Sequence, residues 1–357
     1  MMKACHALAQ LDQSVAVWVP GSPGDNLTWE ELASLYELNR SFEVHWLITK
    51  PALKRYDFTW KSLRAARHWK ADLIYTWMSQ VALLALWQGL PVIYEMHDRP
   101  TGNIGPWLFR QFARSSGKRR LMLITDALRH VLEREQRVKL TPDWVQVAPN
   151  GVDLNAYLAL PDPEGARRQL GLKEAFTVGY TGHFYAGRGL DLLLGLAQAL
   201  PDIQFLWVGG TPEDVHRWQA RLQMMDIHNV TLTGFIKKTQ LPLYQAAAEV
   251  LLMPYETAIA GSSGGNSVEI CSPMKMFDYL ATGRVIITSD LPVLHEVLDE
   301  TKAVFCPPQD VPAWTAALLA LAQNPQRCQQ LSQAARQAAS RYTWTNRAER
   351  ALQGFLD

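Results

Sequence analysis

The chain has 357 residues, with 35 Lys plus Arg against 34 Asp plus Glu and a formal net charge of +1. That length suits two domains of ordinary size, and so even a charge balance supplies no global field for an anionic polymer, which argues against nucleic acid as a partner. Cys5, Cys271, Cys306 and Cys328 are scattered, with neither a CxxC pair nor zinc spacing among nine histidines. This predicts free thiols, no metal site and a reducing, cytoplasmic compartment.

The opening MMKACHALAQLDQS reads as the tail of a helix and lacks the long apolar core and cleavage site of a signal peptide. Short β-branched runs then alternate with helical stretches: VAVWVP, VHWLI, LIYTW, VIYEMH, LMLIT and WVQVAP, followed by FTVGYTG, IQFLWVGG, VTLTG, VLLMPY, VIITSD and AVFCPP. Apolar runs this continuous predict strands buried on both faces, and their alternation with helices predicts parallel sheets. None reaches the roughly 18 residues of a membrane span. The stretch LNAYLALPDPEGARR, broken by two prolines, is the expected joint between two doubly wound α/β domains, residues 1–157 and 158–340. The ending, 341–357, is expected to pack back on the first domain. Ligands of such sheets bind at the carboxyl ends of strands, here in a cleft between the domains.

In the first half, VIYEMHDRPTG ends a strand with Glu95, His97 and Asp98. A lone His is commonly structural, but a neutral imidazole at a strand end can donate or accept a proton near pH 7, so His97 is the first-domain candidate. The stretch GPWLFRQFARSSGKRR, within 105–120, mixes Trp107, Leu108, Phe109 and Phe112 with Arg and Lys. It has the composition to lie on an anionic bilayer through 106–120, and equally to form an ordinary helix face.

The second half holds the stronger signals. VGYTGHFYAGRGLD is a strand, a loop punctuated by Gly182, Gly187 and Gly189, and a helix start. Glycines there let backbone N–H groups approach an anion, and Arg188 adds a fork suited to phosphate; a turn with a solvated Arg is the plainer reading. The spacing is not GxGxxG, so no dinucleotide cofactor, and no cofactor of any kind, is indicated. Further on, SPMKMFDYLATG predicts a helix from about Pro273 to Thr282, capped by Ser272 and closed by Gly283. Met274, Met276, Phe277, Leu280 and Ala281 form its apolar arc, with Asp278 at the edge. The helix follows a loop containing Gly264, Gly265 and Asn266, which suits a diphosphate at its start. Asp278 then falls about 7 Å further along the axis, within reach of a ribose on that diphosphate. Lys275, in the first turn, opposes the macrodipole unless a phosphate faces it.

The strings APNGVDLNAY, VGYTGHFYAGRGLD and SPMKMFDYLATGRVIITSDLPVLHEVL, with ADLIYTWMSQVALLALWQGLPVIYEMHD, resemble the family 4 (group 1) glycosyltransferases of GT-B fold, in order along nearly the whole chain. The resemblance implies two Rossmann-like domains facing a cleft, and metal-independent, retaining transfer of a sugar from a nucleoside-diphosphate sugar to an acceptor hydroxyl. Many relatives use lipid-linked acceptors or build polysaccharide, which would place the enzyme in the cytoplasm or peripherally at the inner membrane face. It further implies that Arg188 is one member of a basic pair on the donor phosphates, with His183 where the other is often Arg. Gly182, Gly265, Ser272 and Lys275 would also lie along the donor, and the backbone at Phe235 and Ile236 against its nucleobase. Asp278 takes the place of a ribose-binding Glu. The family's earlier Glu would stand eight positions before it, where this chain has Ile270, with Glu269 one position off. Relatives also begin with a strand and glycine loop ahead of the first helix, whereas Met1 falls within that helix. No Asp-x-Asp triplet of the metal-dependent sugar transferases occurs.

Two other readings stand beside transfer. A catalytically silent GT-B binding or scaffold module accords with the start of the chain and with Ile270. A nucleotide-sugar epimerase on the same fold would need more acidic and histidine residues than can be assigned.

Overall fold

The computed structural model describes residues 1–21, 26–50, 53, 56–259 and 266–355. All twelve apolar runs form strands, and the chain divides into two compact units, Met1–Pro149 with Trp344–Asp357, and Asn150–Thr343.

The first unit contains α1 (Met2–Gln10), β1 (Ala16–Gly21), α2 (Trp29–Tyr36), β2 (Glu43–Ile48), α3 (Tyr56–His68), β3 (Ile74–Thr76), α4 (Ser79–Trp87), β4 (Val92–Met96), α5 (Gly105–Arg114), β5 (Arg119–Leu123), α6 (Asp126–Gln136) and β6 (Val145–Val147). Its strands form a parallel pair, β1-β2, and a parallel sheet in the order β3-β4-β5-β6. Local chemistry fixes the helix starts: Thr28 accepts from the backbone of Glu31, whose carboxylate returns the bond and completes a capping box ahead of α2. Phe109 and Phe112, spaced i and i+3 on α5, are fully buried.

The second unit contains α7 (Pro163–Leu170), β7 (Thr177–Thr181), α8 (Leu190–Ala199), β8 (Gln204–Val208), α9 (Pro212–Met224), β9 (Val230–Gly234), α10 (Leu241–Ala246), β10 (Val250–Met253), α11 (Met274–Thr282), β11 (Val285–Ser289), β12 (Ala303–Cys306), α12 (Val311–Ala322) and α13 (Pro325–Ala339). The six strands are all parallel, in the order β12-β11-β10-β7-β8-β9, so the sheet winds both ways from β7 and β10. Helices cover it with leucines, and Trp207, with no exposed surface, meets Trp218 edge-on in the largest core cluster. Asp162, Asp310 and Asn324 each cap a helix that opens with a proline in its first turn.

The last helix, α14 (Trp344–Leu352), packs on α1 in the first unit. The division between units falls at Pro149 and Asn150, ahead of the proline-rich joint. Asn150 already belongs with the second unit because its amide donates to the Ser272 carbonyl at 2.7 Å.

The basic, aromatic stretch near 106–120 is built into the first unit. Arg120 donates to the carbonyls of Arg350 and Ala351, Lys118 to that of Phe355, and Arg119 stacks on Trp144. With Phe109 and Phe112 in the core, only Trp107 of its aromatics is exposed. Among the described residues no helix is long and apolar enough to cross a membrane.

Candidate functional site

At the end of β7 the chain turns through Gly182, at φ +144°, and reaches Arg188 before α8 begins. That backbone conformation favours glycine, and a Cβ at Gly182 would also lie 2.8 Å from the movable Lys275 ammonium. Gly189, the residue before α8, has φ +76°, and a Cβ there would fall 1.8 Å from the Pro254 carbonyl oxygen. The loop is thus held tightly against the strand ends beside it.

Three elements bring two cations together. Lys275, from the first turn of α11, sets its ammonium 3.9 Å from the centre of the Tyr180 ring and 5.5 Å from that of Tyr255. Arg188 lies over the same Tyr255 ring at 5.2 Å and over Tyr185 at 4.7 Å, and hydrogen-bonds the Tyr185 hydroxyl. Tyr180 and Tyr255 are buried, and Tyr180 is tied down by donating to the His183 carbonyl at 2.8 Å. Cation–π contact offsets part of the desolvation of each cation. It supplies no acceptor, however: the Lys275 Nζ and the Arg188 Nε are both shut off from solvent without a hydrogen-bond partner among the described residues.

The electrostatics follow from this crowding. Burial pulls the Lys275 ammonium well below the ordinary lysine value, the nearby Arg188 guanidinium pulls it further, and Asp278 opposes both. Burial acts downward on Arg188 too, but Tyr255 and the hydrogen bond with Tyr185 outweigh it and the net shift is upward. The two enclosed cations keep unused N–H groups and repel each other, the condition that a polyoxygenated anion relieves.

α11 carries Asp278 three positions after Lys275, on the same side of the helix, half-buried. The helix is fixed to β7 by Tyr279, whose hydroxyl accepts from the Thr181 backbone N–H at 2.9 Å. It is closed by Gly283, just past Thr282, in the left-handed conformation, as the sequence requires. Two local expectations need correcting. Ser272 does not cap α11: its hydroxyl accepts from the Asn150 backbone, and Pro273 stands at the cap position with no side-chain bond. Met274 is exposed, and Tyr279 takes the buried place in the apolar arc.

The remaining donor-side candidates are spread more widely. His183 is exposed and stacks on Tyr185 at 5.4 Å. Phe235 is 81% exposed at the end of β9, while Ile236 turns into a small core with Leu206 and Val208. Ile270 is fully buried and Glu269 is exposed. Asn266 clasps its loop by accepting from Ile259 and Val268; Gly264 and Gly265 lie outside the described residues. Sequence reasoning missed the tyrosines at 180, 185 and 255, for which the only signal was an aromatic at or near a strand end.

In the first unit His97 hydrogen-bonds Glu95, a carboxylate 3% exposed that is also bonded by Tyr75 and by Arg347. Burial alone would raise the Glu95 carboxyl; Arg347 and His97 overcome it and hold it below the carboxylate range. His97 is half exposed and fixed from behind by this network. Among the described residues no group of three or more His, Cys, Asp or Glu gathers that could hold a metal.

Two Rossmann-like units of parallel strands define a GT-B fold. Residues 1–156 match the family model described as glycosyltransferase family 4, and residues 175–324 that of glycosyl transferases group 1. The chain belongs to the family 4, group 1 glycosyltransferases. It is 24% identical to TuaH of Bacillus subtilis, named for teichuronic acid biosynthesis, over 80% of this chain and 74% of that one. It is 26% identical to the phosphatidyl-myo-inositol mannosyltransferase of Mycobacterium tuberculosis over 71% of this chain, and spans 64% of that protein's length. Among solved structures, Anabaena HepE in complex with UDP and glucose superposes with a TM-score of 0.74 at 15% identity, covering 99% of this chain and 95% of that one. A Rickettsia africae glycosyltransferase gives 0.77 at 10% identity, covering 99% and 92%.

Proposed function

We propose that the protein is a retaining, metal-independent glycosyltransferase that moves a sugar from a nucleoside-diphosphate sugar to an acceptor hydroxyl. The observation that carries this is the pair of enclosed, acceptor-less nitrogens, Lys275 Nζ and Arg188 Nε, over one tyrosine ring. The diphosphate of the donor sits on them, Gly182 and the start of α11 approach its oxygens, and Asp278 accepts from the ribose hydroxyls. As the bond between the anomeric carbon and the phosphate oxygen breaks, negative charge grows on the diphosphate, and the two cations, turned outward from the tyrosine faces to meet it, stabilise it. The acceptor hydroxyl attacks from the same face and passes its proton to the departing phosphate, so no protein nucleophile is required. His97, held by Glu95, is assigned to the transferred sugar and acceptor. His183, Glu269, Ser272, Phe235 and Ile236 are retained as donor-side positions, with Ser272 acting through its bond to Asn150 and Ile236 through its backbone.

The name of HepE's complex and those of TuaH and the mannosyltransferase support a uridine or similar nucleotide and an acceptor that is lipid-linked or a growing polysaccharide, reached from the cytoplasm. The buried Ile270, in place of an acidic residue, favours a second reading: a module that binds nucleotide without transferring sugar.

Calorimetric titration with UDP, GDP and ADP tests the site, followed by product analysis with the matching nucleotide sugar. One diphosphate is expected to bind, and Arg188→Ala to lower turnover with the fold intact. Failure of all three to bind sinks the donor site; tight binding with no acceptor-dependent product selects the silent module.

A further inference from the structure

Glu95 lies in the wholly buried β4 and His97 follows it by two positions, so the two side chains leave the backbone on the same side. They meet through one atom each: His97 Nε2 stands within hydrogen-bond distance of Glu95 Oε1. The other carboxylate oxygen, Oε2, is taken twice, by the Tyr75 hydroxyl and by Arg347 Nη1 at 2.9 Å. Arg347 is itself anchored, its Nε donating to the carbonyls of Ala148 and Pro149 at 3.3 and 3.1 Å. The second ring nitrogen of His97, Nδ1, has no partner among the described residues, and the side chain is 47% exposed against 3% for Glu95.

One proton lies on the line between Oε1 and Nε2, and where it sits decides what His97 offers a ligand. On the carboxyl, it makes Nε2 the acceptor and leaves the ring's own proton on Nδ1; on the ring, it leaves Nδ1 with a free lone pair. Arg347 selects the second arrangement. Its buried guanidinium keeps Glu95 charged against the pull of burial, and an ionised carboxylate can only accept. We infer that Glu95 is a positioning residue that fixes the ring proton of His97 on Nε2, so that His97 presents Nδ1 as a hydrogen-bond acceptor and recognises a hydroxyl group. A neutral ring held this way takes a bond from a sugar or acceptor hydroxyl and has nothing to give a carboxylate or phosphate oxygen. The two candidate positions then differ in polarity: Lys275 and Arg188 donate to anionic oxygens, whereas His97 receives from neutral ones. That the hydroxyl belongs to the transferred sugar or the acceptor rests on the transferase reading; the place of the ring proton does not.

The test is heteronuclear NMR of the full chain with its nine histidines isotope-labelled, His97→Gln identifying the His97 signals by their loss. In the free wild type with the ring neutral, Nε2 is expected to carry the proton and Nδ1 to give the signal of an unprotonated nitrogen. The Nε2 proton is expected to be directly visible, because its bond to a buried carboxylate slows exchange with water. In Glu95→Gln, Tyr75 and Arg347 claim the amide oxygen, the amide N–H groups face Nε2, and the ring proton is expected to move to Nδ1. Turnover of the nucleotide sugar is then expected to fall on the order of 100-fold or more, as for a base held in the wrong tautomer, with the dissociation constant of the nucleoside diphosphate unchanged. A wild-type ring proton on Nδ1, or one too fast in exchange to be seen, overturns the inference whether or not Glu95→Gln folds. So does an unchanged tautomer, or unchanged turnover, in a folded Glu95→Gln. Because the ring is read in the free protein, failure of every nucleotide to bind defeats the transferase reading while the ring proton still upholds or refutes the part assigned to Glu95.

Discussion

Arg347, near the end of the chain, forms an ion pair with Glu95 of β4 at 2.9 Å, and each side chain is only 3% exposed. The Arg347 Nε also donates to the Pro149 carbonyl at 3.1 Å, and Tyr75 bonds the same carboxylate, so α14, β4 and the chain before the unit boundary meet at one buried charge.

Removing one partner from that pair leaves the other charge buried and uncompensated. Arg347→Met is expected to cost about 3–5 kcal/mol of unfolding free energy in urea titration, and Glu95→Gln a comparable amount. The double variant should cost less than the sum of the two. Because the folded Glu95 carboxyl lies below its ordinary value of 4.5, its contribution is complete above that pH. The contribution is lost as pH falls through the folded value, so the wild type's advantage over Glu95→Gln should shrink progressively in acid. An acid-insensitive difference would exclude the ion pair as its source.

Lys275 has the opposite sign. A lysine whose folded value is depressed binds fewer protons folded than unfolded, so it destabilises the protein below that value and the penalty fades as pH rises toward 10.5. Lys275→Met should therefore raise stability by about 1–2 kcal/mol at neutral pH, with the gain falling toward pH 10, while abolishing diphosphate binding. A diphosphate favours the charged ammonium, so over the pH range between the free and bound values binding to the wild type should take up protons, and it should weaken as pH is raised. Calorimetry in buffers of different ionisation enthalpy measures that uptake directly.

Asp278→Ala should weaken binding of the cognate nucleoside diphosphate by about 2–3 kcal/mol, roughly 30- to 150-fold, through loss of two hydrogen bonds to a charged group. Affinity for inorganic pyrophosphate, which has no ribose, should change much less, through the charge of Asp278 on Lys275 alone. Parallel losses for both ligands would move Asp278 from the ribose to the phosphates.

Gly189→Ala meets both a left-handed backbone and the Pro254 carbonyl, and should lower stability by about 2–4 kcal/mol in thermal or urea unfolding. Gly171→Ala is the control: its φ is +65° but its Cβ would meet nothing within 4 Å. It should cost only about 1–2 kcal/mol, the conformational penalty alone.

Strand runs such as VGYTG and VIITS were legible because a strand buried on both faces must be apolar throughout, and Gly283 because only a left-handed residue closes a helix so sharply. Partners distant in sequence were not. Nothing local in VIYEMH marks Glu95 for an arginine 252 residues away. Tyr180 and Tyr255 are buried aromatics at or near strand ends; that their faces carry Lys275 and Arg188 depends on how β7, β10 and α11 converge. Ser272 misled because its sequence context fits a cap, whereas tertiary contact with Asn150 claims its oxygen first. Composition left Phe109 and Phe112 open, because an aromatic stripe reads alike on a bilayer and in a core; packing places both in the core.

The placement of α14 has a consequence for biosynthesis. Asn150–Thr343 is an uninterrupted piece of chain, whereas the unit before it is finished by residues from Trp344 onward. At about 5–20 residues per second, a ribosome spends roughly 10–40 s between Glu95's own unit reaching Pro149 and the emergence of Arg347. Over that interval the earlier-made unit lacks the cation its buried carboxylate needs, so it is completed only after the whole of the later-made unit, which ends at Thr343, has been synthesised.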